Sequence, residues 1–370
     1  MKVKIAYSQK KEIDSIIAEL KDQIGTFEAK FIQFYASSKI DPEKISAELY
    51  KTFNKVPIIG CTTSGELISG KMLDNSIVIM AMGSEIIDDC RIEVVSNINS
   101  GGTSFVDDAF DNFTNYYGIK GSDLDPKKYV GLVLIDGLSG QEEKINERIG
   151  DLTNVTFIGG SAGDDLKFEK TSIYANGKTY TNAAVLALLK CKVKFDTLKT
   201  QSFNSTNKSV LVTRAEESSR RIIEFNGKPA VEEYASIIGV DKKNAAEAFS
   251  KNPIGLVFGD DFFVRSPQKT DGNDIIFYCS VKEGMELDIL ESQDIVNDTR
   301  IDLHAKMESF GSISAIVCFN CILRTLELKE KKQTEKYGSL FKDIPTVGFS
   351  TYGESFIGHI NQTAVMLLVK

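Results

Sequence analysis

Three loops that combine glycine, hydroxyl side chains and a closing carboxylate are the part of this chain best suited to chemistry. They span residues 60–66 (GCTTSGE), 159–164 (GGSAGD) and 348–354 (GFSTYGE), and each follows a short apolar run. Backbone N–H groups in a glycine turn can surround an anion, whereas the closing carboxylate attracts a cation such as an ammonium group. A zwitterionic amino acid carries both charges, so we interpret the loops as candidate ligand contacts.

The closing carboxylates also have a structural interpretation. Each can accept hydrogen bonds from the backbone N–H groups of its own loop and hold that loop rigid. The loops match neither the phosphate-binding Gly-x-x-x-x-Gly-Lys-Ser/Thr motif nor the dinucleotide-binding Gly-x-Gly-x-x-Gly motif. The sequence therefore disfavours a nucleotide and leaves both interpretations of the carboxylates open.

One loop matches the Gly-x-Ser-x-Gly nucleophile elbow of hydrolases through Ser161. That motif requires a helix directly after the serine and a histidine that activates it, but residues 164–170 lead into a predicted strand. The chain has two histidines, His304 and His359, and we interpret His359 as a structural or ligand-contacting residue. A hydrolase or transferase that uses Cys61 or Ser161 as nucleophile is the alternative function.

Turns between strands and helices supply further candidates. Asp136 and Ser139 follow a predicted strand, and ligands of open α/β sheets bind at the carboxyl ends of strands. Ser139 and Glu142 could instead form a capping box for the next helix. Arg265 and Arg324 could each bind a carboxylate through two parallel hydrogen bonds, or could pair with one of the many acidic side chains.

The predicted ligand-binding residues come from the three loops and from these turns. No catalytic residue, metal ligand or cofactor is predicted. The set comprises Thr62, Thr63, Glu66, Asp136, Ser139, Ser161, Asp164, Arg265, Cys321, Arg324, Ser350, Thr351, Tyr352, Glu354, His359 and Asn361.

The loops belong to a repeat in which strand, helix, strand, helix, strand, loop and strand follow one another. We predict repeat units at 1–82, 90–189 and 275–370, the third beginning with a strand at Ile275–Cys279, and an inserted segment at 201–274. An asparagine precedes each closing strand, at Asn75, Asn182 and Asn361. Alternation of strands and helices predicts an α/β fold with mixed, largely parallel sheets. We place a boundary between two domains at residue 200.

Composition narrows the class of protein. The chain has 370 residues with a formal net charge of −8, which opposes binding to nucleic acid or an anionic membrane. No apolar run approaches the roughly 18 residues of a membrane span, and the N-terminus does not resemble a signal peptide. The six cysteines lie in apolar contexts, and Cys318-x-x-Cys321 lacks the second pair of a zinc site. We expect a cytoplasmic protein without a metal.

Long motifs in both halves of the chain resemble those of a known family. They lie at residues 58–66, 158–168, 226–230, 347–354 and 361–363, together with Cys321 and Arg324. These motifs are similar to the N-terminal and C-terminal halves of the FIST family. The resemblance implies a sensory input module for signal transduction that binds small ligands such as amino acids and acts on a signalling output protein. An oligomerising scaffold is compatible with the sequence, as is a homo-oligomer.

Overall fold

The computed structural model describes residues 2–100, 102–259 and 261–370. The chain forms two compact units. The first comprises residues up to Lys199, Arg300–His359 and Ala364–Lys370, and the second comprises Thr200–Thr299 and Ile360–Thr363.

Repeat one occupies the start of the first unit. The helix α2 begins at Pro42 because the Asp41 side chain accepts hydrogen bonds from the backbone N–H groups of Glu43 and Lys44, at 3.1 Å each. The elements of repeat one are β1 (Val3–Ser8), α1 (Ile13–Ile24), β2 (Ala29–Ser37), α2 (Pro42–Thr52), β3 (Ile58–Thr63), β4 (Glu66–Ile68), β5 (Lys71–Leu73) and β6 (Ile77–Gly83).

Repeat two has the same order of elements. Its helix α4 begins at Glu142 after Gln141, and Ser139 does not cap it, so the capping-box alternative is wrong. The elements are β7 (Ile87–Ser96), α3 (Ser104–Tyr117), β8 (Tyr129–Ile135), α4 (Glu142–Leu152), β9 (Phe157–Ser161), β10 (Ile173–Ala175), β11 (Lys178–Tyr180) and β12 (Ala183–Cys191).

The second unit interrupts repeat three after the opening strand of that repeat. A strand at 195–201 lies in the sheet of repeat three, whereas the predicted opening strand, Ile275–Cys279, corresponds to a strand of the second unit. Both runs are apolar enough for a strand, so pattern alone could not choose between them. The elements are β13 (Phe195–Gln201), β14 (Phe203–Glu216), β15 (Arg221–Phe225), β16 (Lys228–Pro229), α5 (Ala230–Ile238), α6 (Ala245–Ala248), β17 (Ile254–Phe258), β18 (Asp261–Arg265), β19 (Pro267–Asp271), β20 (Asp274–Phe277) and β21 (Glu286–Ser292).

Repeat three then continues to the end of the chain. Where the predicted repeat has one second helix, repeat three has two, because the chain turns through Lys332 at a positive φ of 54°. The elements are α7 (Ile295–Phe310), β22 (Ala315–Cys321), α8 (Ile322–Glu330), α9 (Thr334–Ser339), β23 (Thr346–Thr351), β24 (Glu354–Phe356), β25 (His359–Ile360) and β26 (Thr363–Val369).

Each repeat builds a six-stranded sheet but completes it with strands from another repeat. The sheet orders are β1-β6-β2-β3-β10-β11, β7-β12-β8-β9-β24-β25 and β13-β26-β22-β23-β4-β5. Repeat one thus gives its hairpin β4–β5 to repeat three, repeat two gives β10–β11 to repeat one, and repeat three gives β24 to repeat two. This exchange is cyclic, so each repeat receives strands from one of the other repeats and gives strands to the remaining one.

The sheets are mixed, as predicted, but antiparallel pairing is more frequent than the alternation of strands and helices indicates. Parallel pairing joins β2 with β3, β8 with β9 and β22 with β23. The closing strand of each repeat lies antiparallel beside the first strand of that pair. The parallel pair therefore sits at the centre of each sheet, and its carboxyl end leads into the glycine-acid loop.

Apolar cores lie between the helices and the sheets of the repeats, where the two pack together. In repeat one, Ile16 and Leu20 of α1 and Ile45 and Leu49 of α2 pack against the sheet and are fully buried. Repeat two has an equivalent core that includes Phe113 of α3. Burial of a large aliphatic or aromatic side chain contributes about 1.5–3 kcal/mol, so these faces hold the helices against the sheets.

Candidate functional site

The three glycine-acid loops meet inside the first unit, and we call their meeting point the loop junction. The Ser64 N–H donates to the Ser350 carbonyl at 3.2 Å, and the Ser350 N–H donates to the Gly65 carbonyl at 2.8 Å. The Gly163 N–H donates to the Thr62 carbonyl at 2.9 Å. Backbone groups of repeat one thus bind both of the other repeats.

Repeats two and three bind each other at the same junction. The Ser161 N–H donates to the Gly353 carbonyl at 2.9 Å, and the Tyr352 N–H donates to the Ser161 carbonyl at 3.2 Å. The Thr351 hydroxyl donates to the Ser161 carbonyl at 2.8 Å. The loop junction is therefore a closed ring of backbone contacts that joins the three exchanged sheets.

The hydroxyl groups predicted to bind a ligand at the junction are buried and hydrogen-bonded within the protein. The Thr62 hydroxyl accepts from the Ser172 N–H at 2.9 Å, and Thr63 donates to Glu66. The Ser350 hydroxyl lies 2.8 Å from the Thr325 hydroxyl. These bonds favour the structural interpretation of the junction.

Glu66 closes the first loop and is 2% exposed. Its carboxyl group accepts from the Ser76 N–H at 3.0 Å and from the Ser76 hydroxyl at 2.5 Å, and it also bonds the Thr63 hydroxyl. Burial raises the pKa of Glu66 to about 8, although these hydrogen bonds oppose the shift. Near neutral pH this carboxyl group therefore tends to keep its proton.

Asp164 closes the second loop in a different environment. Its carboxylate accepts backbone N–H bonds from Phe168 at 3.0 Å, Glu169 at 2.7 Å and Lys170 at 3.0 Å, and a hydroxyl bond from Tyr352 at 2.5 Å. Burial alone would raise the pKa of Asp164, but the hydrogen bonds from Tyr352 and the backbone outweigh burial and lower it. Asp164 is a charged centre that folds the following residues around itself.

The third loop closes with Glu354, which is fully buried on β24 opposite Gly160 of β9. His359 is 4% exposed and lies against Gly353, where an added Cβ would come within 2.0 Å of its ring. Both residues are therefore parts of the interior rather than of an open surface.

The candidate nucleophiles are also enclosed. Cys61 and Ser161 are both 0% exposed, and burial raises the pKa of the Cys61 thiol well above its usual range. The Ser161 hydroxyl donates to the Glu142 carboxylate at 3.4 Å, not to a histidine. Neither arrangement activates a nucleophile in the way that a hydrolase or transferase needs.

An open cavity of about 320 Å³ lies at the carboxyl end of β8, and we call it the repeat-two cavity. Asp136 is 6% exposed and contributes to the lining. Its carboxyl group accepts from the Asn182 N–H at 2.6 Å, from the Leu138 N–H at 3.1 Å and from the Thr171 hydroxyl. These three donors fix its orientation.

Polar side chains dominate the rest of the lining. The Ser139 hydroxyl donates to the Asp136 carbonyl at 2.7 Å, and the Asn182 Oδ1 accepts from the Asn99 N–H at 3.0 Å. Glu169 and Lys170 are exposed, so both signs of charge occur in the lining. The lining comprises Asn99, Asp136, Leu138, Ser139, Glu169, Lys170, Thr171, Thr181 and Asn182.

A second polar cluster lies at the equivalent end of β22 in repeat three. Arg324 is 2% exposed, its Nε donates to the Asn320 Oδ1 at 3.1 Å, and its guanidinium lies 5.9 Å from the centre of the Tyr337 ring. The Tyr337 hydroxyl donates to the same Asn320 oxygen at 3.0 Å, and Cys321 precedes α8 at its N-cap. The role of Arg324 in binding a carboxylate stays a prediction.

Comparisons with known proteins identify the family. The model of the FIST N domain matches residues 30–228, which is more than half of the chain, and the model of the FIST C domain matches residues 230–356. The chain belongs to the FIST family. The two matches confirm the resemblance found in the sequence. FIST domains are sensor modules of signal-transduction proteins.

One relative is the uncharacterized protein MJ1623 of Methanocaldococcus jannaschii. It is 23% identical over 262 residues, and the match covers 61% of this chain and 50% of the relative. The chain thus matches about half the length of that protein.

Two predicted site residues of this FIST protein belong to the second unit. Arg265 is half-buried on β18, and Asn361 is 1% exposed between β25 and β26. The next residue, Gln362, accepts a hydrogen bond from the Ser266 hydroxyl at 2.7 Å and donates to the Ser250 carbonyl at 3.1 Å. These contacts anchor the turn before β26.

The asparagine pattern needs one correction. Asn75, Asn182 and Gln362 have φ values of 54°, 48° and 53°, and each lies two residues before the strand residue paired with the end of the central strand. The third equivalent position is therefore Gln362, not Asn361. A left-handed turn explains two asparagines, since this residue tolerates positive φ better than most.

Several residues that line the repeat-two cavity were not predicted from the sequence. Thr171, Glu169 and Lys170 lie in a segment without a motif, and only the length of that segment distinguishes it: β4 begins at Glu66 itself, whereas β10 begins at Ile173, nine residues after Asp164. An alignment of the loops shows this longer segment in repeat two, and it is the sequence signal that could have indicated these residues.

The described parts of the FIST chain yield two further observations. Within residues 2–100, 102–259 and 261–370, no group of three or more His, Cys, Asp and Glu side chains is arranged to hold a metal ion. Over the same residues, no helix is both long and apolar enough to cross a membrane.

Proposed function

We propose that this FIST protein senses an amino acid or a related small metabolite, and that the ligand binds in the repeat-two cavity. The observation that carries this proposal is the oriented, buried Asp136 in an open cavity at the carboxyl end of a parallel strand pair. Ligands of open α/β sheets bind at such ends, and about 320 Å³ falls at the small end of ligand-pocket volumes.

The charges in the lining favour a zwitterionic ligand. Asp136 and Glu169 suit an ammonium group, and Lys170 suits a carboxylate. Ser139, Thr171 and the side-chain amide of Asn182 offer hydrogen bonds of either direction. In this proposal the glycine-acid loops contribute indirectly, because the second loop leads into the cavity wall.

A thermal-shift screen of the standard L-amino acids and related metabolites tests the proposal. A ligand present at 100 times its Kd adds about 2.7 kcal/mol to the free energy of unfolding. The variant Asp136→Asn keeps the side-chain shape but loses the charge, so we expect it to weaken binding at least about tenfold, as removal of a hydrogen bond to a charged group does.

Asp125→Asn is the matched control, since Asp125 lies before β8 at the opposite end of the same strand. We expect this variant to bind like the wild type. Equal affinity of Asp136→Asn and the wild type, measured by calorimetry for the ligand found, would contradict the assignment of the cavity. A screen without any hit would contradict the choice of ligand class.

We also infer that the protein acts in the cytoplasm and signals to a separate output protein. The six cysteines are all free thiols, which a reducing compartment maintains, and they support this location. Fractionation of cells that express a tagged chain measures the location directly, and recovery in an oxidising extracellular fraction would contradict it.

A further inference from the structure

The wall of the repeat-two cavity is a segment held at both ends, and we call residues 164–171 the wall segment. At one end Thr171 bonds the Asp136 carboxyl group in the cavity lining. At the other end Asp164 lies at the loop junction, next to Gly163, whose N–H binds repeat one. A ligand that displaces Glu169 or Lys170 would therefore also shift residues at the loop junction.

Asp164 also fixes the shape of the wall segment. Its carboxylate accepts hydrogen bonds from the N–H groups of Phe168, Glu169 and Lys170. The two residues that line the cavity, Glu169 and Lys170, are therefore held by this carboxylate. Charge-assisted hydrogen bonds of this kind are about twice as strong as neutral ones.

Tyr352, which comes from repeat three, closes over this arrangement. Its hydroxyl donates to Asp164 Oδ1 at 2.5 Å and accepts from the Leu166 N–H at 2.8 Å and the Asp164 N–H at 3.2 Å. Its ring stacks on Phe168 with the ring centres 5.1 Å apart and the planes 25° apart. One side chain thus contacts the wall segment at three of its residues.

The protonation states suit this arrangement. Burial, followed by the bond to Asp164, raises the pKa of Tyr352 to about 12, while the pKa of Asp164 is lowered. The proton therefore stays on the tyrosine oxygen over the physiological range, and the tyrosine remains the donor to a charged carboxylate.

Repeat one holds the same segment from another side. The Ser64 hydroxyl accepts from the Asp165 N–H at 3.0 Å, and the Ser38 hydroxyl donates to the Asp165 carboxylate at 3.2 Å. The wall segment is consequently the place where a residue run of repeat two is bound by both other repeats.

We propose that Tyr352 is a positioning residue for the repeat-two cavity and couples occupancy of the cavity to repeat three. This inference rests on the proposed function in locating the ligand. A ligand that contacts Glu169 or Lys170 selects the arrangement in which the Asp164 and Tyr352 bonds are formed, and loss of those bonds lowers ligand affinity in return.

Hydrogen exchange measured by mass spectrometry on the full chain tests the proposal. Tyr352→Phe keeps the ring and its stacking but removes the hydroxyl, so we expect the amides of residues 166–170 to exchange about tenfold faster while peptides from β8 are unchanged. Phe168→Ala removes only the stacking and should act in the same direction with a smaller effect.

Tyr174→Phe is the control, because the buried Tyr174 hydroxyl has no hydrogen-bond partner among the described residues. We expect this variant to exchange like the wild type in residues 166–170. Unchanged exchange there in Tyr352→Phe would overturn the proposal.

The second measurement uses a mixture of the standard L-amino acids as the probe. We expect the mixture to protect residues 166–170 in the wild type and to need about tenfold higher concentration in Tyr352→Phe. Faster exchange in Tyr352→Phe with an unchanged concentration requirement would overturn the coupling. If the mixture protects no variant, the amino-acid proposal fails, and the exchange comparison without ligand still decides whether Tyr352 positions the wall segment.

Discussion

Glu66 and Asp164 close equivalent loops in repeats one and two, but their surroundings produce opposite pKa shifts. Glu66 is enclosed with the side chains of Thr63 and Ser76, and burial dominates, which raises its pKa to about 8. Asp164 is also 2% exposed, but it is less deeply enclosed than Glu66, and the hydroxyl and backbone donors around it outweigh burial and lower its pKa.

One physical cause of this difference, besides the deeper enclosure of Glu66, is the length of chain that follows each carboxylate. Repeats one and three enter their hairpins at once, at Glu66 and Glu354, so few backbone N–H groups remain free to turn toward the carboxyl group. Repeat two delays its hairpin until Ile173, and the extra residues supply three N–H donors to Asp164.

The comparison shows how a repeated structural element can gain a second role. In repeat one the loop joins two sheets and is followed directly by the strand β4. In repeat two the same loop joins sheets and then continues into the wall of an open cavity. The repeated geometry is thus a scaffold, and the departure from it marks the candidate site.

The largest expected effect tests what the loops share. Gly60, Gly159 and Gly348 open the loops, and a Cβ added at these positions would lie 2.3, 1.7 and 2.1 Å from a backbone carbonyl oxygen of the neighbouring strand. Because backbone cannot move aside without breaking the parallel pair, we expect Gly159→Ala to lower the free energy of unfolding by about 4 kcal/mol or more, measured by urea denaturation.

Gly150→Ala is the control for the same substitution. Gly150 lies in α4 with no atom within 4 Å of an added Cβ, so alanine should stabilise the protein by up to about 1 kcal/mol through its higher helix propensity. Similar stabilities of Gly159→Ala and Gly150→Ala would show that the loops do not need the close approach of the strands.

Much of this fold was predictable because local patterns determine it. Strands such as Ile77–Gly83 and Tyr129–Ile135 are continuous apolar runs, and α2 is announced by Asp41 and Pro42. The exchange of hairpins between repeats was not predicted, because it depends on pairing between distant residues that share no local signal. The predicted opening strand of repeat three was wrong for the same reason.

The candidate site was predictable in part. Asp136 and Ser139 were found because carboxyl ends of parallel strands bind ligands, whatever the side chains elsewhere. The hydroxyls of Thr62 and Thr351 have the right chemistry, but the sequence could not show that they are enclosed and hydrogen-bonded in the loop junction. The residue type indicates which hydrogen bonds a side chain can make, but its packing in the fold decides whether a ligand can reach it.

The second effect isolates the buried acid of repeat one. The folded-state pKa of Glu66, about 8, is above its ordinary value of 4.5, so the folded protein keeps a proton that the unfolded chain releases between these pH values. Stability should therefore fall by about 1.4 kcal/mol for each pH unit in this window. Glu66→Gln carries no such proton and should be clearly more stable than the wild type at pH 8 but similar to it near pH 4.5.

Urea denaturation across this pH range measures the difference between the two proteins. Glu43→Gln, at an exposed position of α2, is the matched control and should follow the wild-type curve. Parallel curves for Glu66→Gln and the wild type would mean that Glu66 is ionised in the folded protein.

The third and smallest effect concerns the charged acid of repeat two, and its sign is opposite. Because the pKa of Asp164 is below its ordinary value of 3.8 in the folded protein, its contribution to stability is present above that value and is lost as pH falls through the lower folded value. Asp164→Asn replaces one carboxylate oxygen by an NH2 group, which cannot accept the N–H bonds that the wall segment makes to that oxygen. We expect it to destabilise the protein by about 2 kcal/mol at neutral pH, and by progressively less as the pH falls below 3.8.

Denaturation at neutral pH and at a pH well below 3.8, with Asp111→Asn on the exposed face of α3 as the control, measures this effect. Loss of stability that is equal at both pH values would mean that the charge of Asp164 contributes nothing beyond its shape. Opposite pH trends for the Glu66 and Asp164 variants would instead show that equivalent loops hold a protonated acid in repeat one and an ionised acid in repeat two.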